Sequence, residues 1–226
     1  MAHNKPIFQL IEAMTLHGRE KKLWWEQDIG CGYHPVDATC YDKEYFDKYV
    51  GYESTEVGRG INNFRVRLTK SYDVGTVLDI GIGSGSYLKL LQLSAIRCRG
   101  YDINPVGIKW LNKHNLFCDA YEVDEVDTMT FWDSLEHIKD FWKLLDRVKK
   151  YVFISIPIFS DKKHIESSKH FRPDEHCWYF TKQCLMDLMA ELGFKLCELR
   201  DNETTKYGRE DILTFVFKRV ATSYLM

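Results

Sequence analysis

Apolar positions change spacing several times along this 226-residue chain, and each change marks an element. Phe8, Leu10, Ile11 and Met14 recur at helical spacing, and Leu23, Trp24 and Trp25 add a large apolar surface. Tyr41, Tyr45 and Tyr49 stand at i, i+4 and i+8 among charged residues, which predicts a helix with its tyrosines on one side. A further helix is expected from Glu53 to Lys70, carrying Ile61, Phe64, Val66 and Leu68 partly inside. Val77, Leu78 and Ile80 form a short apolar run of the kind buried in a parallel strand. It passes directly into Gly81, Gly83 and Gly85, then into a helical pattern with Tyr87, Leu88, Leu90 and Leu91.

The alternation continues to the carboxyl end. A strand is expected over Ala95–Asp102, a helix from about Val106, and a short third strand over Leu116–Cys118. The segment from Thr128 to Trp132 reads as a strand, Phe141, Leu144, Leu145 and Val148 as an amphipathic helix, and Tyr151–Ile156 as a strand whose pairing stops at Pro157. A long loop over 157–180 leads to a helix at 181–192, closed by Gly193. Phe194–Leu199 and Ile212–Lys218 alternate as two strands around the polar stretch Asp201–Glu210. Strands alternating with helices predict an α/β fold around a largely parallel sheet. Residues 1–70 form an N-terminal helical extension and 71–226 the main domain.

Composition narrows the class. With 45% hydrophobic residues, the chain has material for one α/β domain and an appendage, not two full domains. A net charge of -2 provides no global basic field for nucleic acid. The start Met-Ala-His-Asn-Lys-Pro is not a secretory signal, and no apolar run approaches the ~20 residues of a membrane span. Seven scattered cysteines, with Cys98 and Cys197 in predicted strands, suggest reduced, buried thiols in a cytoplasmic protein. Cys31, His34 and Cys40 lack a fourth ligand and a C-x-x-C pair, so no metal site is expected there.

The glycine run carries the chemistry. A strand that ends in alternating glycines and turns into a helix is a nucleotide-binding turn, because missing Cβ atoms let the backbone bend and a ligand lie against it. The dinucleotide fingerprint G-x-G-x-x-G is not met, since Ser86 holds its sixth position, and no G-x-x-x-x-G-K-[ST] phosphate loop occurs. Asp79, two residues before the first glycine, would repel a pyrophosphate but suits a cationic ligand.

Here the chain resembles the class I S-adenosylmethionine-dependent methyltransferases, whose signature is E/D-x-G-x-G-x-G or a close variant. Two further segments extend the likeness, which covers roughly residues 45 to 218. The strand ending at Asp102 places an acid where it accepts hydrogen bonds from ribose hydroxyls. Thr128 to Ile138 resembles the family's fourth-strand segment leading into Asp-x-Leu-Glu-His. The resemblance implies a Rossmann-like, seven-stranded mixed sheet with a C-terminal antiparallel hairpin and helices on both faces. It implies S-adenosylmethionine as cofactor, held by Asp79, Gly81, Gly83, Gly85, Asp102, Ile103, Asp133 and Ser134. Asp119 fits the position that reaches the adenine amino group, with Asp124 and Glu125 as competitors. It also implies that the leading helices lie over the cofactor and wall the substrate pocket.

A sulfonium methyl is already activated, so the protein's main task is to align the acceptor and exclude water. A base matters only where the acceptor must lose a proton. The candidates are His176, His137 and His170. His176 reads equally as a tether for the following helix, and His137 as a residue packed under its loop. Glu136 has the ordinary reading of a solvated loop acid. Substrate contacts are expected from Tyr45, Tyr49, Trp132, Trp178, Tyr179 and Arg172, the plain alternative for the tyrosines being a packing stripe. Lys162, Lys163, Lys169 and Arg172 either receive an anionic acceptor or form a solvated cluster. The absence of a [DNS]-P-P-[YFW] turn and of a Pro-Cys nucleophile disfavours base methylation of DNA and leaves a small-molecule acceptor. Two other classes stay open: a nucleic-acid methyltransferase using a local basic face, and a non-catalytic cofactor-binding subunit.

Overall fold

The computed structural model describes residues 6–17, 22–36 and 41–220. In chain order the elements are α1 (Ile7–His17), β1 (Trp24–Glu26), β2 (Cys31–Tyr33), α2 (Lys43–Glu53), α3 (Glu56–Lys70), β3 (Val77–Ile80), α4 (Ser86–Leu93), β4 (Cys98–Tyr101) and α5 (Pro105–Lys113). They continue with β5 (Val126–Trp132), a 3₁₀ turn (Leu135–His137), α6 (Trp142–Leu145), β6 (Val148–Pro157), α7 (Lys162–Ser167), β7 (Trp178–Phe180), α8 (Lys182–Glu191), β8 (Phe194–Arg200), α9 (Asn202–Thr205) and β9 (Ile212–Arg219).

Six strands form the main sheet in the order β4-β3-β5-β6-β9-β8. The first four run parallel, and β9 is antiparallel to both β6 and β8. Strand periodicity divides the core into two layers. Val152 and Ile154 point into one layer with α1 and α8, while Phe153 points into the other with Val66, Leu88, Leu91 and Leu111 of α3, α4 and α5. After β3 the chain steps outward to β4 and then returns to β5 on the other side of β3. The order therefore reverses between β3 and β5, and a crevice opens at their carboxyl ends, where open α/β sheets take ligands.

Four expectations change. Among the described residues the sheet has six strands rather than seven, because Leu116–Cys118 makes only an isolated bridge, Gly100 to Phe117. The helix expected over Phe141–Val148 is the single turn α6, since Val148 already pairs with Val126 to open β6. Pro157 does not stop pairing but stands opposite Ile212 as the last residue of β6. Cys197 is exposed beside a register shift in β8, whereas Cys98 is buried.

The N-terminal region is helical only in part. β1 and β2 form a hairpin that joins β7 in a separate three-stranded sheet, Tyr33 lying opposite Trp178. α1 is fastened to α8 because the Glu191 carboxylate accepts from the free backbone N–H groups of Ile7 and Phe8, both at 2.9 Å. Cys40 lies outside the described residues.

Candidate functional site

A cavity of about 280 Å³ opens at the switch point. That is more than an order of magnitude above the ~10–15 Å³ a water molecule needs, so the space is ligand-sized. Asp79, Gly81, Ile82 and Gly83 line one end together with Asp102, Ile103, Asn104 and Ser134. Tyr41, Tyr45, Tyr49, Glu136, His137, His170, Arg172 and His176 line the other.

The glycine turn is built as its spacing predicts. Gly81 has φ +77°, and a Cβ there would lie 2.8 Å from Ser134 Cβ, so only glycine lets the two loops meet. Gly85 serves a different purpose. It does not line the cavity, and its bare Cα admits the Trp110 ring, 2.5 Å from where a Cβ would stand.

Asp102 is braced rather than loose. Its carboxylate accepts from Asn104 N at 2.8 Å and Ile82 N at 3.0 Å, which ties the acid to the glycine turn. Burial raises its pKa against these amides. Each carboxylate oxygen accepts more than one hydrogen bond, so lone pairs remain for a ligand's donors. Ile103 beside it is 61% exposed, an uncovered apolar surface at the cavity edge.

Asp79 is 1% exposed, and its one side-chain partner is Thr130 Oγ1 at 2.6 Å. Burial lifts its pKa to about 8, against the opposing pull of Thr130 and Arg65. Nearby, Ser134 Oγ and Trp132 Nε1 are buried with no hydrogen-bond partner. A deeply buried acid with no ion-pair contact among the described residues, beside orphaned polar atoms, fits a cavity whose complement is a positively charged ligand.

Asp133 lines the cavity, but its carboxylate is occupied. It adopts φ +56° at the end of β5 and bonds Arg65 Nη2 and Arg209 Nη2, both at 2.8 Å. Burial works to raise its pKa, yet the two guanidinium groups win and hold it below the ordinary carboxylate range. Arg65 also meets the fully buried Glu203 at 2.8 Å, and Ser155 Oγ donates to the same carboxylate at 2.9 Å. This network joins α3, the tip of β5 and α9 behind the site.

α2 crosses the cavity and is latched at both ends. Asn104 Nδ2 donates to the Asp42 carbonyl at 3.0 Å, beside the loop that follows Asp102. At the other end, Ser84 Oγ and Asn62 Nδ2 donate to Glu53 Oε2 at 2.5 and 3.0 Å, on the glycine turn. Along this side the Tyr45 ring meets Tyr41 edge to face at 4.9 Å and Tyr49 at a tilt at 5.1 Å, with the Tyr45 and Tyr49 hydroxyls 3.2 Å apart.

At the other end of the cavity, Glu136 is 2% exposed, so the solvated reading of this acid does not hold. Cys177 N donates to its carbonyl at 2.8 Å, which draws the 3₁₀ turn under the strand leading into β7. Burial, aided by Asp133, pushes the Glu136 carboxyl well above the ordinary range. The rings of His137 and His176 meet edge to face at 4.6 Å. Burial lowers His137 to about 4; burial and then His137 itself lower His176 to about 2. Both imidazoles are therefore neutral near pH 7 and weak as bases. His170 lines the cavity with Nε2 donating to the Glu210 carbonyl at 2.9 Å.

Other expected residues stand elsewhere. Trp178 and Tyr179 are core residues of β7, 1% and 0% exposed, and do not line the cavity. Asp119 accepts from Tyr121 N at 2.9 Å and is outside the lining, as are Asp124 and Glu125. Lys162 and Lys169 pair with Glu166 and Glu210, and Arg172, which lines the cavity, pairs with Glu175 at 3.0 Å. Sequence reasoning missed Glu53, Asn62, Arg65 and Arg209. A signal existed in α3, where Asn62 and Arg65 interrupt the apolar side formed by Ile61 and Val66.

This geometry agrees with comparisons to known proteins. The sequence profile of a methyltransferase domain matches residues 64–199, more than half of the chain. The chain belongs to this family. It is a class I methyltransferase dependent on S-adenosylmethionine. The fold is similar to that of magnesium protoporphyrin IX methyltransferase from Synechocystis PCC 6803, solved with S-adenosylhomocysteine, at TM-score 0.62 and 13% identity, covering 80% of this chain and 96% of that one. It is also similar to 1,6-didemethyltoxoflavin-N1-methyltransferase from Burkholderia thailandensis, at TM-score 0.56 and 16% identity, covering 88% and 100%. A methyltransferase bound to the Trm112 activator of Haloferax volcanii matches at TM-score 0.57 and 16% identity, covering 77% and 95%. No significantly similar sequence is found among curated proteins. Among the described residues, no helix is long and apolar enough to cross a membrane.

Proposed function

We propose that this methyltransferase acts on a small, ring-containing acceptor bearing an ionisable oxygen, in the end of the cavity roofed by α2. The observation that carries this reading is the continuity of one cavity from Asp102 and the glycine turn to the tyrosine row and the Glu136–His137–His176 floor. S-adenosylmethionine supplies the activated methyl group. Gly81, Gly83 and Asp79 line its methionine end, Asp102 and Ile103 its nucleoside end, and Ser134 donates from the opposite loop. The tyrosine faces suit stacking on a planar acceptor. Arg172, half-buried at the rim, suits an anionic substituent on it. In this reading residues 41–70 act as the lid, since α2 is tied to both donor loops and excludes water once they are filled.

The small-molecule assignment is supported by the activities of two similarly folded enzymes, a magnesium protoporphyrin IX methyltransferase and a 1,6-didemethyltoxoflavin-N1-methyltransferase. The test is a transfer assay with deuterated S-adenosylmethionine on fractionated small-molecule extract, read by mass spectrometry. A labelled small product that depends on Asp102 supports the reading. Label appearing only in RNA, DNA or protein fractions sinks it.

A further inference from the structure

Glu136, His137 and His176 form a second chemical centre within the cavity, distinct from the groups that hold the donor. Each offers one ligand atom, and the three atoms lie within 4.8 Å of one another. Glu136 Oε2 is buried without a hydrogen-bond partner. A buried carboxylate oxygen with nothing to accept from is costly, and a cation is the partner that removes the cost. His137 Nδ1 donates to the Glu175 carbonyl at 2.9 Å. That bond fixes the tautomer and leaves a lone pair on the other ring nitrogen, the arrangement that orients a metal-binding histidine. The triad comes from two backbone segments already joined to each other: Cys177 N meets the Glu136 carbonyl at 2.8 Å, and Cys177 Sγ the His137 carbonyl at 3.4 Å.

We propose that Glu136, His137 and His176 bind one divalent transition-metal ion, which holds the acceptor oxygen beside the donor methyl group. The proposal rests on the methyl-transfer reading above only for what the ion does, not for its binding. Two imidazoles and one carboxylate suit Zn²⁺, Co²⁺ or Fe²⁺, whereas Mg²⁺ demands an oxygen shell. Metal–ligand bonds of about 2.0–2.2 Å draw the three side chains inward on loading. Three protein ligands leave coordination positions open, as in catalytic sites, and all three residues line the acceptor end of the cavity. A hydroxyl bound there loses its proton to solvent more readily. The oxygen lone pair then forms the new O–C bond while the C–S bond breaks with its electrons to sulfur, giving S-adenosylhomocysteine. No separate strong base is required.

The test titrates chelator-treated protein with Zn²⁺, Mg²⁺ and, in parallel, S-adenosylhomocysteine by calorimetry, in the native sequence, Glu136→Gln and His176→Gln. One equivalent of Zn²⁺ is expected, bound far more tightly than Mg²⁺. Each substitution should weaken Zn²⁺ by more than the ~10–100-fold typical of losing an outer-shell partner, with S-adenosylhomocysteine affinity kept. Native protein that binds S-adenosylhomocysteine but no Zn²⁺ overturns the metal site and leaves the methyltransferase standing. Zn²⁺ binding that neither substitution weakens also overturns it. Zn²⁺ bound at the triad without any S-adenosylhomocysteine affinity supports the metal site and removes the methyl-transfer reading. Independently of any variant, the electron paramagnetic resonance of Cu²⁺-loaded native protein should show nitrogen splitting from two imidazoles, and its absence refutes the assignment.

Discussion

Asp79 offers a sharp test of the electrostatics at the donor end. Its carboxyl is 1% exposed and held by Thr130 Oγ1 at 2.6 Å. In an unfolded chain it ionises near 3.8, and burial in the fold keeps it protonated to about 8. Between those values the folded state carries a proton that the unfolded state lacks. Stability is therefore fully present below about pH 4, falls as pH rises, and levels off above about pH 8. The slope is about 1.4 kcal/mol per pH unit, so the loss between pH 5.5 and 7.5 is on the order of 2–3 kcal/mol. In a domain of this size that is a fall in Tm of about 5–10 °C. Asp79→Asn keeps a hydrogen-bond acceptor for Thr130 and cannot ionise. The assay is thermal unfolding of both proteins across pH 5.5–7.5, taking the difference in Tm so that Glu136, His137 and His176, which titrate in both, cancel. The Asn protein should gain on the native one by about 5–10 °C across the window. The gain should shrink when saturating S-adenosylhomocysteine brings its ammonium group to the site and lets Asp79 ionise. A difference in Tm that stays constant with pH would refute the reasoning.

Three further perturbations probe the site. Asp102→Ala removes a charged hydrogen-bond acceptor whose loss costs about 1.5–3 kcal/mol, so calorimetry should show S-adenosylhomocysteine binding weakened roughly 10–150-fold; a change under about threefold counts against the ribose role. Glu53→Ala unlatches α2 from Ser84 and Asn62, and with each net hydrogen bond at about 0.5–1.5 kcal/mol the donor should dissociate about tenfold faster in stopped-flow tryptophan fluorescence; an unchanged rate would show that α2 is not a lid. Glu203→Gln leaves Arg65 and Arg209 under-compensated in a buried network, which should cost about 3–5 kcal/mol in urea unfolding; a loss below ~1 kcal/mol would mean that Asp133 alone neutralises both arginines.

What the sequence revealed was local, and what it hid depended on distant partners. The turn from Val77 to Ser86 is a strand, three glycines and a helix start in ten residues, so neighbours in sequence determine its shape. Asp102 was legible as an acid at a strand end for a partly local reason: one of its backbone partners lies two residues on, while the other, Ile82, comes from the glycine turn 20 residues back. Leu116–Cys118 misled because an apolar tripeptide records affinity for a sheet edge without recording whether a ladder forms beyond Gly100. Trp178 and Tyr179 misled differently. Aromatics in a long loop look like ligand contacts, but the hairpin at Trp24–Tyr33 arrives from the far N-terminal side and turns them into a buried strand.

Glu136 shows the same dependence in its strongest form. Within its own segment it is an acid in a short turn, with nothing local to bury it. Its burial is created by Cys177, some 40 residues later, whose amide seizes the Glu136 carbonyl and brings His176 over the carboxylate. The fold thus spends a buried, partnerless oxygen where an apolar residue would have been less costly. Arg65 belongs to the opposite case. It too is an ion forced inside by distant elements, but Asp133 and Glu203 meet it at hydrogen-bond distance, so its burial is accounted for by structure alone. The contrast between the two separates scaffold from site: a buried ionisable group with all its partners braces the loop, while one left short of a partner marks where a ligand completes the set.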